Sequence, residues 1–427
     1  MSISTTSSSA RITKRNGDNT LTREGAKLAK RELRRQKMTA LALVAPLLLF
    51  IVLAFVAPIG TMLNRGFHNP VVAELIPKTL EALKQWDGKE VPNPKIIRIF
   101  TAELKVLANQ RRSGKLAEEI NRNKPGASSA IKSSARKLSK IEDSVLTEAG
   151  ENTLFSLHKI WNTPEIWHAI KRAGKVYTDA YFLTALDLER NTDGEIQTRT
   201  SSQIYIELYT KTLRLAIIIT ILCIVLGYPL AYYLANAPTK RANLLMILVL
   251  LPFWTSLLVR TTAWIALLQT NGVVNSFLMS IYVIKEPLEL LYTEFSTIVA
   301  MTHILLPFMI LPLYSVMKGI DPSYMRAAMS MGARPVRAFI GVYLPNTLPG
   351  LSAGALLVFI ISVGYYITPA LVGGTDGQMI SNIIAFHMQQ SNNWGLAAAL
   401  GSLLLVLILI LYWTYDRFVG ASNIKLG

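Results

Sequence analysis

The sequence predicts an all-α polytopic membrane protein with a mostly helical soluble insertion after its first transmembrane helix. Three observations predict it. Hydrophobic residues make up 51% of the 427, and the mean hydropathy is +0.35, a balance unlike that of a globular enzyme. Charge is concentrated in a few segments. Nearly uncharged apolar runs of membrane-crossing length recur, one before a long polar stretch and five after it.

Residues 1–37 are Ser/Thr-rich and basic, and read as a disordered cytoplasmic tail with a short helix from about Thr22. Lys30, Arg31, Arg34, Arg35 and Lys37 stand directly before the first apolar run, the positive-inside signal. That run, residues 38–63, is too long for a signal peptide and no small-residue cleavage site follows it. It reads as transmembrane helix 1, with Pro46 and Pro58 as expected kinks.

Residues 64–207 differ in kind, with charges of both signs. Apolar residues at three and four spacing predict helices over Val71–Trp86 and Lys95–Asn123. Thr163-Pro164-Glu165 predicts a helix start, running on toward Leu188. Lys124–Ser134 and Asn191–Ser202 read as loops. Counting orientations puts this insertion in the periplasm, since long domains translocate regardless of their own charge. It is either a docking surface for a binding protein or a tolerated insertion that packs on the membrane part.

Residues 208–420 contain the remaining spans: Tyr209–Ala235, Ala242–Leu268, Phe295–Met317, Leu351–Val372 and Ala397–Phe418. The fourth span of the chain, Phe295–Met317, is expected to break at Pro307 and Pro312. Gln269–Thr293 and Gly373–Trp394 read as periplasmic loops. Lys240, Arg241, Lys318, Arg417 and Lys425 mark cytoplasmic ends, so both termini fall inside.

The stretch 321–350 is too polar for lipid. Asp321 and Pro322 suit a helix start. A helix over Ser323–Met331 should end at Gly332 in a left-handed conformation. A second helix should restart at Arg334-Pro335, run to Tyr343 and stop at Pro345 and Pro349. Ala327, Ala328, Gly332 and Ala333 give this finger a small-residue surface that a partner can approach closely.

At these residues the chain resembles the "EAA" loop of binding-protein-dependent ABC importer permeases: Ala327-Ala328, Gly332-Ala333, Phe339, Leu344-Pro345 and Pro349-Gly350. The wider resemblance is to the spermidine/putrescine class and its opine, phosphonate and amino-acid relatives. It runs from about Tyr209 to Phe418 through LGYPLAYYLA (Leu226–Ala235), LLPFWTSLLVRTTAW (Leu250–Trp264), NGVVNSFL (Asn271–Leu278) and TPALVGG (Thr368–Gly374). The resemblance implies the six-helix type I importer fold in an inner membrane, with 321–350 as the coupling loop on a cytoplasmic ATPase. It also implies a second permease subunit, an ATPase dimer that uses ATP and Mg, and a periplasmic solute-binding protein. The motif's acidic first residue is Arg326 here, so the usual salt bridge to the ATPase does not carry over, while the loop's shape does.

Trp254, Tyr365, Tyr366 and Asp376 are candidates for a substrate path. Tyrosine offers an aromatic face to a cationic amine, although relatives commonly have an acid where Tyr365 stands. Core packing, an interfacial belt and an Asp-Gly turn are the alternative readings of these four. Arg260 lies 18 residues beyond Ala242, roughly 27 Å along a straight helix, and so should snorkel at the outer edge. Arg214 and Glu294 fall near the same face.

Other functions are excluded or left without support. The net charge of +17 is explained by basic flanks of membrane spans, not by nucleic acid. The histidines lack metal-ligand spacing, and His303 lacks the acidic neighbour that a proton relay needs. There is no G-x-x-x-x-G-K-[ST] motif, so the chain is expected to bind no ATP and to be no enzyme itself. Single Cys223 lies in an apolar run and builds no disulfide framework.

Overall fold

The computed structural model describes residues 23–142, 151–191, 195–199 and 203–419. The expected disorder of the tail falls mostly outside them. The chain forms two compact units, one ending at Thr61 and one beginning at Met62. Five helices are long and apolar enough to cross a membrane, or six if one bent pair counts as a span.

The first long helix runs through α1 (Arg23–Ile51), a π turn (Val52–Val56) and α2 (Ala57–Arg65) without a break. Pro58 does not end it. The π turn carries the Ala57 N–H back to the carbonyl of Val52, which opens the room that a proline ring needs. A second π turn, Phe339–Tyr343, precedes Pro345 at the same spacing, with the Leu344 N–H on the carbonyl of Phe339. Thus α17 (Pro335–Ala338), this turn and α18 (Leu344–Gly364) form one continuous helix. The expected stops at Pro345 and Pro349 do not occur.

The insertion folds around its own core. It comprises α3 (Val71–Leu75), α4 (Pro77–Leu83), α5 (Pro94–Asn109), α6 (Ser113–Asn123), α7 (Ala127–Leu138), α8 (helical over 151–157), α9 (Pro164–Ala173) and α10 (Ala180–Ala185). Each long predicted helix is split, at Pro77 and at Arg111, whose φ is 58°. Fully buried Phe100, Trp161 and Trp167 meet at the centre, with ring centroids 5.2–5.9 Å apart. Lys124–Ser134, expected as a loop, instead starts α7. Its buried face is Ala127, Ala130, Ile131, Ser134, Ala135 and Leu138, mostly small or polar and so weak as a hydrophobic stripe, and Ser134 Oγ accepts the Trp161 indole N–H at 2.9 Å.

The helix from Pro164 ends at Ala173, with Gly174 as its C-cap, rather than near Leu188, and Leu80 packs so closely there that a Cβ on Gly174 would lie 2.2 Å from it. The expected loop after Asn191 contributes to an antiparallel hairpin, β1 (Leu188–Arg190) with β2 (Ile196–Thr198), paired Leu188↔Thr198.

The membrane half is built on α11 (Tyr205–Asn236), α15 (Glu294–Lys318) and α18. α15 is the most enclosed candidate span, 61% buried, and it is continuous through Pro307 and Pro312. Small residues let its neighbours close on it: a Cβ on Gly354 of α18 would lie 2.9 Å from the Met309 sulfur, and one on Gly227 of α11 would lie 3.0 Å from Met309 Cγ. α12 (Thr239–Trp254) and α13 (Leu257–Leu268) are not the single straight span expected. With α14 (Val273–Ser280) continuing the second arm, the pair bends by 99° at Thr255–Ser256. α19 (Ile367–Val372), α20 (Ile380–Gln389) and α21 (Trp394–Val419) complete the half.

The insertion packs on one end of this half. Tyr181 of α10 lies against the start of α21 so closely that a Cβ on Gly395 would be 2.4 Å from its ring. Asp187 (φ 56°, 3% exposed) caps α11: its carboxylate accepts the N–H groups of Ile204, Tyr205 and Ile206 at 2.8–3.3 Å. α11 spans roughly 48 Å, so the 321–343 finger, beyond the far ends of α11 and α15, lies at the opposite end.

Candidate functional site

The finger turns at Gly332 as expected, although its second arm runs on into α18. Asp321 Oδ1 accepts the Ser323 N–H at 2.8 Å and opens α16 (Ser323–Ser330). That bond holds the exposed Asp321 carboxyl below the usual carboxylate range. Gly332, at φ 93°, ends the helix: its N–H bonds the Met329 carbonyl and the next N–H, of Ala333, reaches Ala328. A Cβ at Gly332 would meet nothing within 4 Å, so its backbone conformation demands glycine while the surface above it is open.

The finger's apolar residues divide in two. Ala328, Ala338 and Tyr343 are buried, and Phe339 stacks on Tyr343 at 5.5 Å and meets Tyr232 of α11 edge-on at 5.7 Å. These residues anchor the finger to the bundle. Tyr324, Met329, Met331, Val336 and Ile340 are exposed, and Met331 is 83% so. Arg326, Ala327, Arg334, Pro335, Arg337 and Pro345 are exposed beside them, and Ala333 is partly so.

The candidate path residues lie at breaks in helices. Trp254, 78% exposed, ends α12 at the 99° bend. Tyr365 and Tyr366 separate α18 from α19. The carbonyls freed there are answered from α20: Ser381 Oγ donates to the Tyr365 carbonyl at 2.7 Å and Asn382 Nδ2 to that of Tyr366 at 2.8 Å. Non-helical backbone inside a bundle is stable when its polar groups are met in this way. No hydrogen bond, ion pair or ring contact joins Trp254 to either tyrosine or to Asp376 among the described residues.

The bend also changes Arg260. It lies in the first turn of α13, immediately past the break, so the straight-helix count that put it at the outer edge fails. Its buried Nε has no hydrogen-bond partner among the described residues. His303 pairs with an aromatic N–H rather than an acid: Trp264 Nε1 lies 3.2 Å from its Nδ1.

Asp376 belongs to an ion network that joins three elements. Lys211 of α11 lies 3.7 Å from Asp376 and 3.5 Å from Glu294 at the start of α15, and Arg214 also pairs with Glu294. Asp376 further accepts the Glu294 N–H at 3.4 Å. Sequence reasoning missed Lys211 and Asp187. The only signals were a lysine one turn before Leu215 in an apolar helix and a lone acid in an apolar run.

A multi-span helical bundle with two discontinuous helices is the architecture of a membrane transport protein. The sequence profile described as "Binding-protein-dependent transport system inner membrane component" matches residues 224–421. The spermidine/putrescine transport system permease protein PotB of Escherichia coli K12 is 36% identical over 226 residues, 52% of this chain and 82% of PotB. PotB of Haemophilus influenzae is 34% identical over 231 residues, 54% of this chain and 81% of that protein. The inner membrane ABC transporter permease protein YdcU of Escherichia coli is 32% identical over 234 residues, 51% of this chain and 72% of YdcU. The chain therefore belongs to the family of inner-membrane permease components of binding-protein-dependent transport systems. The profile match covers the finger, the helix breaks and Asp376, and leaves out the insertion and the first long helix.

Proposed function

We propose that this chain imports a polyamine, as one permease subunit paired with a second. The resemblance to PotB supports the substrate class. A solute-binding protein delivers the solute at the periplasmic end, which carries the insertion, and both termini are cytoplasmic. The observation that carries the mechanism is the finger: a loop anchored to the bundle by Phe339 and Tyr343, with apolar and arginine side chains exposed.

In this reading the exposed face of Tyr324, Met331, Val336 and Ile340 docks on an ATPase subunit, which binds the ATP and Mg. Arg326, Arg334 and Arg337 meet carboxylates around that contact, which reverses the motif's usual polarity at position 326. Phe339 and Tyr343 transmit the finger's displacement to α11 and α18. Rocking of the bundle then alternates access, and the breaks at Thr255–Ser256 and Tyr365–Tyr366 line the route. Tyr365 and Tyr366 offer π faces to ammonium groups.

Uptake of radiolabelled spermidine by cells carrying the complete transporter tests this. Gly332→Glu should reduce uptake at least tenfold while the subunit still inserts, because the left-handed turn is lost and a carboxylate enters the docking face. Unchanged uptake in that variant would exclude the docking assignment. A cognate binding protein that prefers an anion would exclude the substrate class.

A further inference from the structure

A cavity of about 280 Å³ lies where the insertion meets the ends of α20 and α21. Four cations line it, Arg122, Arg172, Lys175 and Arg199, against a single carboxylate, Glu119. That carboxylate is already occupied. Arg122 holds one oxygen at 2.5 Å, and Asn69 and the Tyr181 hydroxyl hold the other at 2.9 and 3.4 Å.

Arg172 is different. One of its terminal nitrogens donates to the Arg190 carbonyl at 3.3 Å, but its buried Nε has no partner among the described residues. A buried guanidinium N–H without an acceptor is costly. The rest of the Arg172 guanidinium is what the cavity can offer an anion, since Arg172 is one of its lining residues. Lys175 and Thr184, both residue types that donate hydrogen bonds, also line the cavity. His387 also lines the cavity, and burial and, after it, the Arg122 charge hold its pKa below the ordinary value.

We propose that this cavity is an anion site that takes a phosphate group, free or carried on a lipid headgroup, with Arg172 as its principal ligand. Phosphate supplies several acceptor oxygens to a convergent set of arginine, lysine and hydroxyl donors. The volume is below that of a drug-sized site, which fits one such group. The site repels a polycation, so it is not a station on a polyamine's route. Its occupant would tie the insertion to the bundle.

The full chain, purified in phospholipid-free detergent micelles, is titrated with inorganic phosphate against chloride at matched ionic strength. In parallel it is placed in bilayers of phosphatidylcholine with and without phosphatidylglycerol, and retained lipid is read by native mass spectrometry. Saturable phosphate binding identifies a free ligand, and selective retention of phosphatidylglycerol identifies a headgroup. Arg172→Gln should weaken whichever binding is seen by about tenfold or more, the worth of one charge-assisted hydrogen bond. Lys175→Gln should weaken it less, and Lys78→Gln, in an open groove elsewhere on the insertion, should leave it unchanged. Absence of binding in both arms overturns the proposal. So does wild-type affinity in folded Arg172→Gln or, should that variant not fold, in Lys175→Gln.

Discussion

At the insertion end of the bundle, Asp187, Glu294 and Asp376 each find partners within the chain. At the finger end, Met331, Val336 and Ile340 face outward, as do Arg326, Arg334 and Arg337. The first end has more charge, and three of its carboxylates are met: Asp187 by three helix N–H groups, and Glu294 and Asp376 by Lys211 and Arg214. The second end has little buried charge and much exposed apolar surface. Monomeric proteins rarely leave such surface open beside cations. Folding alone answers these carboxylates at the insertion end, whereas the apolar finger face is left for the docking proposed above.

Variants can break this contrast. The largest effect is expected for Asp187→Ala, which removes three cap bonds from a buried carboxylate and leaves the start of α11 unanswered. The cost is about 2–3 kcal/mol, read as a lower unfolding midpoint of the purified chain by tryptophan fluorescence. Asp187→Asn should recover part of it. An unchanged midpoint would mean that the insertion end is not held by this cap. Next is Phe339→Ala, which removes the ring between Tyr232 and Tyr343 at about 2 kcal/mol, less than for a full core phenylalanine. Hydrogen exchange should rise across 321–343 and stay unchanged at the insertion end. Uniform loosening would show that the two ends are not independent.

Glu294→Gln should cost less, about 0.5–1 kcal/mol, because Arg214 and Asp376 are well exposed. The difference between variant and parent should shrink at high salt, which screens exposed charges. A salt-independent loss would indicate that the network acts through packing instead.

What was legible in the sequence follows the same division. The finger could be read because its signals are local: Asp321-Pro322 to start, Gly332 to turn, Arg334-Pro335 to restart. Span existence was equally plain from apolar length. The breaks were not. Pro307 and Pro312 lie in a helix that stays continuous, whereas the bend at Thr255–Ser256 follows Pro252 by a few residues and depends on neighbours that the sequence does not display. Proline was overread as a stop at Pro345 because a π turn upstream absorbs its ring, a device with no residue signature of its own. Asp376 was visible only as an Asp-Gly turn or a substrate contact, since its partner Lys211 is far away in sequence. In the insertion, α7 was missed because alanine and serine make up most of its buried face.

The smallest effect concerns pH and again separates the two ends. His387 has Ser391 Oγ at 2.9 Å from one ring nitrogen and the Tyr205 hydroxyl at 3.3 Å from the other. Burial, then the positive charge of Arg122, lowers its pKa. In the unfolded chain a histidine takes up its proton near pH 6.5. The folded chain takes it up only at lower pH, so the unfolded state binds more protons and acid favours it. The contribution of His387 is therefore complete above about pH 6.5 and declines as the pH falls through that value. Unfolding midpoints at neutral and mildly acidic pH should converge for His387→Gln more than for the parent. The finger, 319–343, contains no histidine, so its hydrogen exchange, corrected for intrinsic rate, should keep the same protection over that range. Equal acid sensitivity in variant and parent would remove His387 from the insertion end's stability and leave Asp187 and the Lys211 network as its supports.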